Sequence, residues 1–180
     1  PVIVTVVTGN DLSATNPATA LLDYTPITTP VTITIPAGAI TGTTTVPVPA
    51  LNDNIGELTE TFALNGTVTT GNTANTNPVG IGTITDDPAD TPTVTITGNT
   101  AQEGTDVIFT ATLDNPSSTD VVITVVTGND LTPGATQAIA GLDYTPITTP
   151  VTITILAGQL TGSTTVPVPA LIDAIVELPE

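Results

Sequence analysis

Fourteen consecutive residues, LDYTPITTPVTITI, occur twice in this chain of 180, at 22–35 and again at 142–155. Whatever the first copy folds into, the second must fold into again, so the architecture is modular before any secondary structure is considered. The identity extends outward: VTGNDL at Val7–Leu12 returns at Val126–Leu131, and TTVPVPAL at Thr44–Leu51 returns at Thr164–Leu171. Asp23 and Asp143 lie 120 residues apart (143 − 23) but Asp11 and Asp130 only 119 (130 − 11), which places a one-residue insertion in the loop between them. A period of this size is one ordinary domain.

The repeated letters also give the type of structure. Val151, Ile153 and Ile155 alternate with Thr152 and Thr154, the period of two that puts apolar side chains on one face of a strand and hydroxyls on the other. Val, Ile and Thr are β-branched and suit a pleated, half-buried surface. Combining the two copies predicts one all-β module of about seven strands, an immunoglobulin-like sandwich: 93–97, 107–113, 121–127, 151–155, 164–168, then 61–68 and 80–85. Helix is expected to be nearly absent. Pro47, Pro49, Pro167 and Pro169 cannot donate to a ladder, so their strand is expected at an edge. The stretch DDPADT at Asp86–Thr91 interrupts the pattern with acids and proline. It divides the chain into a module over 1–87 without its first strands, a linker over 88–91, and a module over 92–180 without its last strands. The expected whole is about one and a half tandem repeats, cut at both ends.

Charge limits what such modules can do. Seventeen Asp and Glu face no Lys, Arg or His, for a formal charge of −17, so each carboxylate must be hydrated, hydrogen-bonded or neutralised by a cation from outside. Nothing can neutralise phosphate, which argues against nucleic acid and against an anionic membrane surface. No apolar run is long enough for direct membrane insertion as a helix. With no Cys and no His, disulfides and the usual transition-metal ligands are excluded and hard oxygen donors remain. No His, Lys or Cys is available as base or nucleophile, and two Tyr and two Phe are too few to line a glycosidase cleft, so the chain is not expected to be an enzyme.

Glu103-Gly104, the turn of Gly141, Asp143 and Tyr144 with its counterpart at Asp23 and Tyr24, and the Ala-Gly pairs at Ala37 and Ala157 follow one another in a set order. Asp53, Glu57, Glu60 and Phe62, then Ile84-Thr85-Asp86-Asp87, complete it. In this order and spacing the chain resembles the Calx-β modules of sodium–calcium exchangers, an integrin and very large bacterial surface proteins. The resemblance implies calcium in loops at one end of each sandwich. By position it implies the ligands Asp23, Asp53, Glu57, Glu60, Asp86 and Asp87 in the first copy, and Glu103, Asp143, Asp173, Glu177 and Glu180 in the second. Calcium takes six to eight oxygens in irregular geometry, which suits a loop-built acidic cluster better than the strict octahedron of magnesium. Where calcium-rich members carry further aspartates this chain has Asn52, Asn54, Ile172, Ala174 and Pro88, so fewer or weaker sites are implied.

Asp11 and Asp130, in the repeated Gly-Asn-Asp, fit either a turn or an extra ligand. Asn65-Gly66-Thr67 is both a glycosylation sequon and a turn signal, and Tyr24 and Tyr144 are expected to pack beside the Asp turn. The resemblance implies a structural and adhesive repeat of a long secreted cell-surface protein, similar to gliding-motility adhesins, whose neighbours are further repeats of the same chain. The alternative is a module that binds an extracellular glycan or protein surface through calcium.

Overall fold

In a computed structural model, residues 1–130 and 137–172 are described. They are all-β: nine antiparallel strands and one short 3₁₀ turn, with no α-helix among the described residues. The chain divides into two compact units, Pro1–Asp90 and Thr91–Glu180. The division falls inside the acidic DDPADT stretch, and the segment expected as a bare linker contains the 3₁₀ turn Pro88–Asp90.

Unit 1 is one sheet. Strands β1 (Val2–Asn10), β2 (Val31–Ile35), β3 (Glu60–Thr70) and β4 (Val79–Ile84) lie in the order β2-β1-β3-β4. Register puts Val4 opposite Ile33 and Val68, Thr8 opposite Leu64, and Phe62 opposite Gly82, so one face carries Val, Ile, Leu and Phe while Thr5, Thr32 and Thr67 share the other. Across the ladder a Cβ on Gly82 would come within 2.4 Å of the Phe62 ring, so this position must be glycine for the ring to lie over it.

Unit 2 has two sheets. Strands β5 (Val94–Gly98), β6 (Asp106–Leu113) and β9 (Val166–Pro169) lie in the order β5-β6-β9, and β7 (Val121–Val125) pairs with β8 (Val151–Ile155). The sheets meet through Ala111 and Leu113 of β6, Ile153 and Ile155 of β8, and Val166 of β9, with Phe109 and Ile123 packed against them. This is the face-to-face packing of a sandwich. The proline strand β9 is an edge, pairing only β6 among the described residues.

The repeated VTITI pairs in the same register in both units: Val2 lies opposite Ile35 and Val6 opposite Val31, as Val121 lies opposite Ile155 and Val125 opposite Val151. Its burial differs. Ile153 and Ile155 are fully buried under β6 and β9, whereas Ile33 and Ile35 stay partly exposed, since unit 1 has no second sheet over β2 among the described residues. Identical residues should therefore respond differently to truncation. Ile153→Ala is expected to cost about 2–5 kcal/mol, the usual range for emptying a packed core site, and Ile33→Ala clearly less; native-state hydrogen exchange in β8 and β2 measures both.

Candidate metal centre

The repeated Asp begins as a turn residue. In unit 1 the N–H of Leu21 donates to the Tyr24 carbonyl at 2.9 Å and that of Asp23 to the Thr19 carbonyl at 2.9 Å. In unit 2 Gly141 donates to Tyr144 at 2.8 Å and Asp143 to Ile139 at 2.9 Å. The Asp carboxylate closes each turn by accepting the N–H four residues earlier, Thr19 for Asp23 and Ile139 for Asp143. The turn requires a left-handed residue, which is Gly141 (φ 82°) in one copy and Leu21 (φ 71°) in the other. A side chain in that conformation costs roughly 1–2 kcal/mol, and Leu21 is mostly exposed, so its burial returns little. Leu21→Gly is expected to stabilise unit 1 by up to about 1 kcal/mol after the entropy of glycine is deducted; a chemical denaturation midpoint that falls contradicts it.

An aromatic stack turns this local motif into a site. The ring of Tyr24, 1% exposed, lies 4.6 Å from that of Phe62 at 21°. Asp23 precedes Tyr24, and Glu60 stands two residues before Phe62 on the same face of β3. The stack therefore brings Asp23 and Glu60 together from distant parts of the chain. Asp11 secures the arrangement: it accepts from Ser13 N–H at 3.0 Å, Ser13 Oγ at 2.6 Å and Thr61 Oγ1 at 2.8 Å, fixing the loop onto the start of β3. These bonds hold its carboxyl below the usual range. Of its two sequence readings, the geometry selects the turn.

All six first-copy candidates, Asp23, Asp53, Glu57, Glu60, Asp86 and Asp87, line one hollow of about 20 Å³. Asp23, Glu57 and Glu60 form its centre, each offering an oxygen within 4.8 Å of the others, and this trio could hold a metal ion. Asp86 reaches in as well and accepts the Glu57 N–H at 3.0 Å. Asp53 and Asp87 close local turns by accepting from Ile55 at 2.8 Å and Ala89 at 2.9 Å.

The electrostatics are those of unneutralised acids. Burial, then the Asp23, Asp53 and Asp86 charges, raise Glu57. Burial, a hydrogen bond shared with Asp23, and the Asp23 and Glu57 charges push Glu60 up to about 7. Glu60 Oε2 is buried with no hydrogen-bond partner, a cost that a proton or a cation would relieve. The donor set is all oxygen and anionic, and so fits a hard cation.

Of the second-copy candidates, Glu103 and Asp143 lie among the described residues. Glu103 is exposed and Asp143 half-buried, both at the rim of a larger apolar cavity, and no trio of acids forms there among the described residues. Asp173, Glu177 and Glu180 lie outside the described residues. One acid escaped sequence reasoning: Asp90 is buried in the 3₁₀ turn, and burial followed by the Asp87, Asp86 and Asp53 charges raises its carboxyl. Its only signal was a third acid after Pro88.

No family model, curated protein or solved structure matches the chain. No helix among the described residues is long and apolar enough to cross a membrane.

Protonation sets the pH response of this centre. Because Glu60 titrates higher folded than the ordinary carboxyl value of 4.5, the folded state holds the proton more tightly. The associated stability is full below that value and is lost as pH rises through about 7. In chelator, the melting temperature of unit 1 is expected to fall between these limits, and a saturating divalent cation to abolish the fall.

Proposed function

We propose that the chain is a structural, adhesive repeat of a long secreted surface protein, and that calcium bound at Asp23, Glu57 and Glu60 stiffens it. The observation that carries the reading is the convergence of six carboxylates on one small hollow, in a chain with no Lys, Arg or His to balance them. Calcium is favoured over magnesium because the donors come from a turn, a strand and two loops, a set suited to irregular high coordination. When bound, the ion supplies the charge that the carboxylates lack. Asp23 would hold it from the turn, and Glu57 and Glu60 from the segment entering β3, with Asp86 bound to the Glu57 backbone. Because Asp86 and Asp87 directly precede the 3₁₀ turn that ends unit 1, ion binding would also stiffen the exit of the chain. The repeated strands then serve as a spacer, and adhesion follows from presenting such spacers in series at the cell surface.

The decisive measurement is a calcium titration followed by thermal melting and calorimetry. An ion bound only to the folded state stabilises by about 2.7 kcal/mol at a hundredfold excess over Kd, and magnesium at equal concentration should do less. Glu60→Gln separates ligation from folding. It removes a charge that Asp23 and Glu57 repel, so it is expected to raise stability in chelator while weakening calcium binding by at least about tenfold, or 1.4 kcal/mol. Identical melting curves with calcium and with chelator would exclude the calcium reading.

A further inference from the structure

The chain contains one Asp-Pro bond, Asp87–Pro88, and it lies between the last strand of unit 1 and the first of unit 2. Proline makes this amide unlike the others. Its nitrogen carries no hydrogen, so it cannot attack the preceding side-chain carboxyl to give the succinimide that is the ordinary fate of an aspartyl peptide. The intramolecular reaction that remains is attack of the carboxylate on its own main-chain carbonyl. The 3₁₀ turn Pro88–Asp90 holds both partners of that reaction. Asp87 Oδ1 accepts the Ala89 N–H at 2.9 Å, which folds the carboxylate forward, on the side of the Pro88 peptide. The Asp87 carbonyl oxygen accepts the Asp90 N–H at 2.9 Å, so the carbon to be attacked is already polarised and a developing oxyanion has a donor in place. Asp90 is itself buried, which anchors that end of the turn.

We propose that the Asp87–Pro88 bond is a self-cleavage site at which the chain separates its two units. One Asp87 carboxylate oxygen adds to the Asp87 carbonyl carbon and closes a five-membered ring. The tetrahedral oxyanion then collapses, the C–N bond breaks with its electron pair on the Pro88 nitrogen, and that nitrogen takes up a proton from solvent. Water opens the resulting cyclic anhydride by adding to one of its carbonyl carbons. The products are a pair of carboxylates on a C-terminal Asp87 and a free prolyl amine on Pro88, and the balance is one amide hydrolysed for one water consumed. The turn contributes positioning, since a side chain fixed beside its own carbonyl replaces one that samples several rotamers. The cut falls after β4 and before β5, so each fragment keeps every strand described for its unit. With no Lys or Arg, the joint offers trypsin-like proteases no target, and its lability resides in the bond itself. The step does not require calcium and so stands apart from the calcium reading.

Asp87 also lines the acidic hollow, so the test is run in chelator. The full chain is incubated at a mildly acidic pH at which circular dichroism shows the sheets intact, and is followed by intact mass. Fragments 1–87 and 88–180 are expected, the second beginning Pro-Ala-Asp-Thr. A synthetic peptide of residues 82–94 carries the same bond without the fold, and the full chain is expected to be cut at least about tenfold faster than the peptide, the contribution of positioning. Equal or slower cleavage of the full chain overturns the proposal, as does the absence of fragments, and this comparison needs no variant to fold. Two substitutions identify the chemistry. Asp87→Asn removes the carboxylate, and Pro88→Ala restores the N–H and with it the succinimide route, so each is expected to slow the cut by at least about tenfold. Either variant cleaved at the unaltered rate also overturns the proposal.

Discussion

A chain without a single cation must find another partner for every carboxylate, and the loops of this protein are organised around that need. Asp11, Asp23, Asp53, Asp86, Asp87, Asp114, Asp120 and Asp143 each accept at least one backbone N–H, from Ser13, Thr19, Ile55, Glu57, Ala89, Thr93, Ala157 and Ile139 respectively. A short side chain reaches the backbone easily, so aspartate is both the commonest acid here and the residue that closes the turns. The same bonds favour the charged form, as the lowered carboxyls of Asp11 and Asp114 illustrate. Glu57 and Glu60 are different. They stand at and just before the start of β3 among other acids, and burial and repulsion raise them instead.

The acids meet because apolar side chains bring them together. The Tyr24–Phe62 stack joins a turn to a strand across more than thirty residues, and Gly82 clears the space in which Phe62 lies. Phe109 uses the same device in unit 2, where a Cβ on Gly98 would come within 2.8 Å of its ring. A strand glycine has no side chain to pack, and the ring opposite fills the gap. Core packing and site geometry are thus one arrangement in unit 1, and a change in the stack would be felt by the carboxylates.

The two copies act as controls for each other. In identical VTITI segments of identical register, the two isoleucines are fully buried where a second sheet lies across them (Ile153, Ile155) and half-exposed where none does among the described residues (Ile33, Ile35). Burial here comes from the sheet opposite. Among the described residues, β5 and β6 occur in unit 2 alone and β3 and β4 in unit 1 alone. In unit 1 Phe62 of β3 stacks on Tyr24, whereas Tyr144 in unit 2 lines an apolar cavity of about 630 Å³ among the described residues.

Much of this was legible in the residues. The repeat, the alternation of Val and Ile with Thr, the edge position of the Pro167 and Pro169 strand and the near absence of helix follow from local preferences, which a linear chain records directly. The grouping of Asp23, Asp53, Glu57, Glu60, Asp86 and Asp87 came from resemblance, since nothing in their spacing says that a turn near residue 23 faces a strand starting at residue 60. Tertiary structure decided the rest. It made Asp23 a turn closure as well as a candidate ligand, assigned Asp11 to Thr61 and buried Asp90 beside the cluster. Hydrogen-bond partners, burial and carboxylate repulsion depend on which segments meet in space. Two copies with the same local sequence therefore share a strand register and differ in burial.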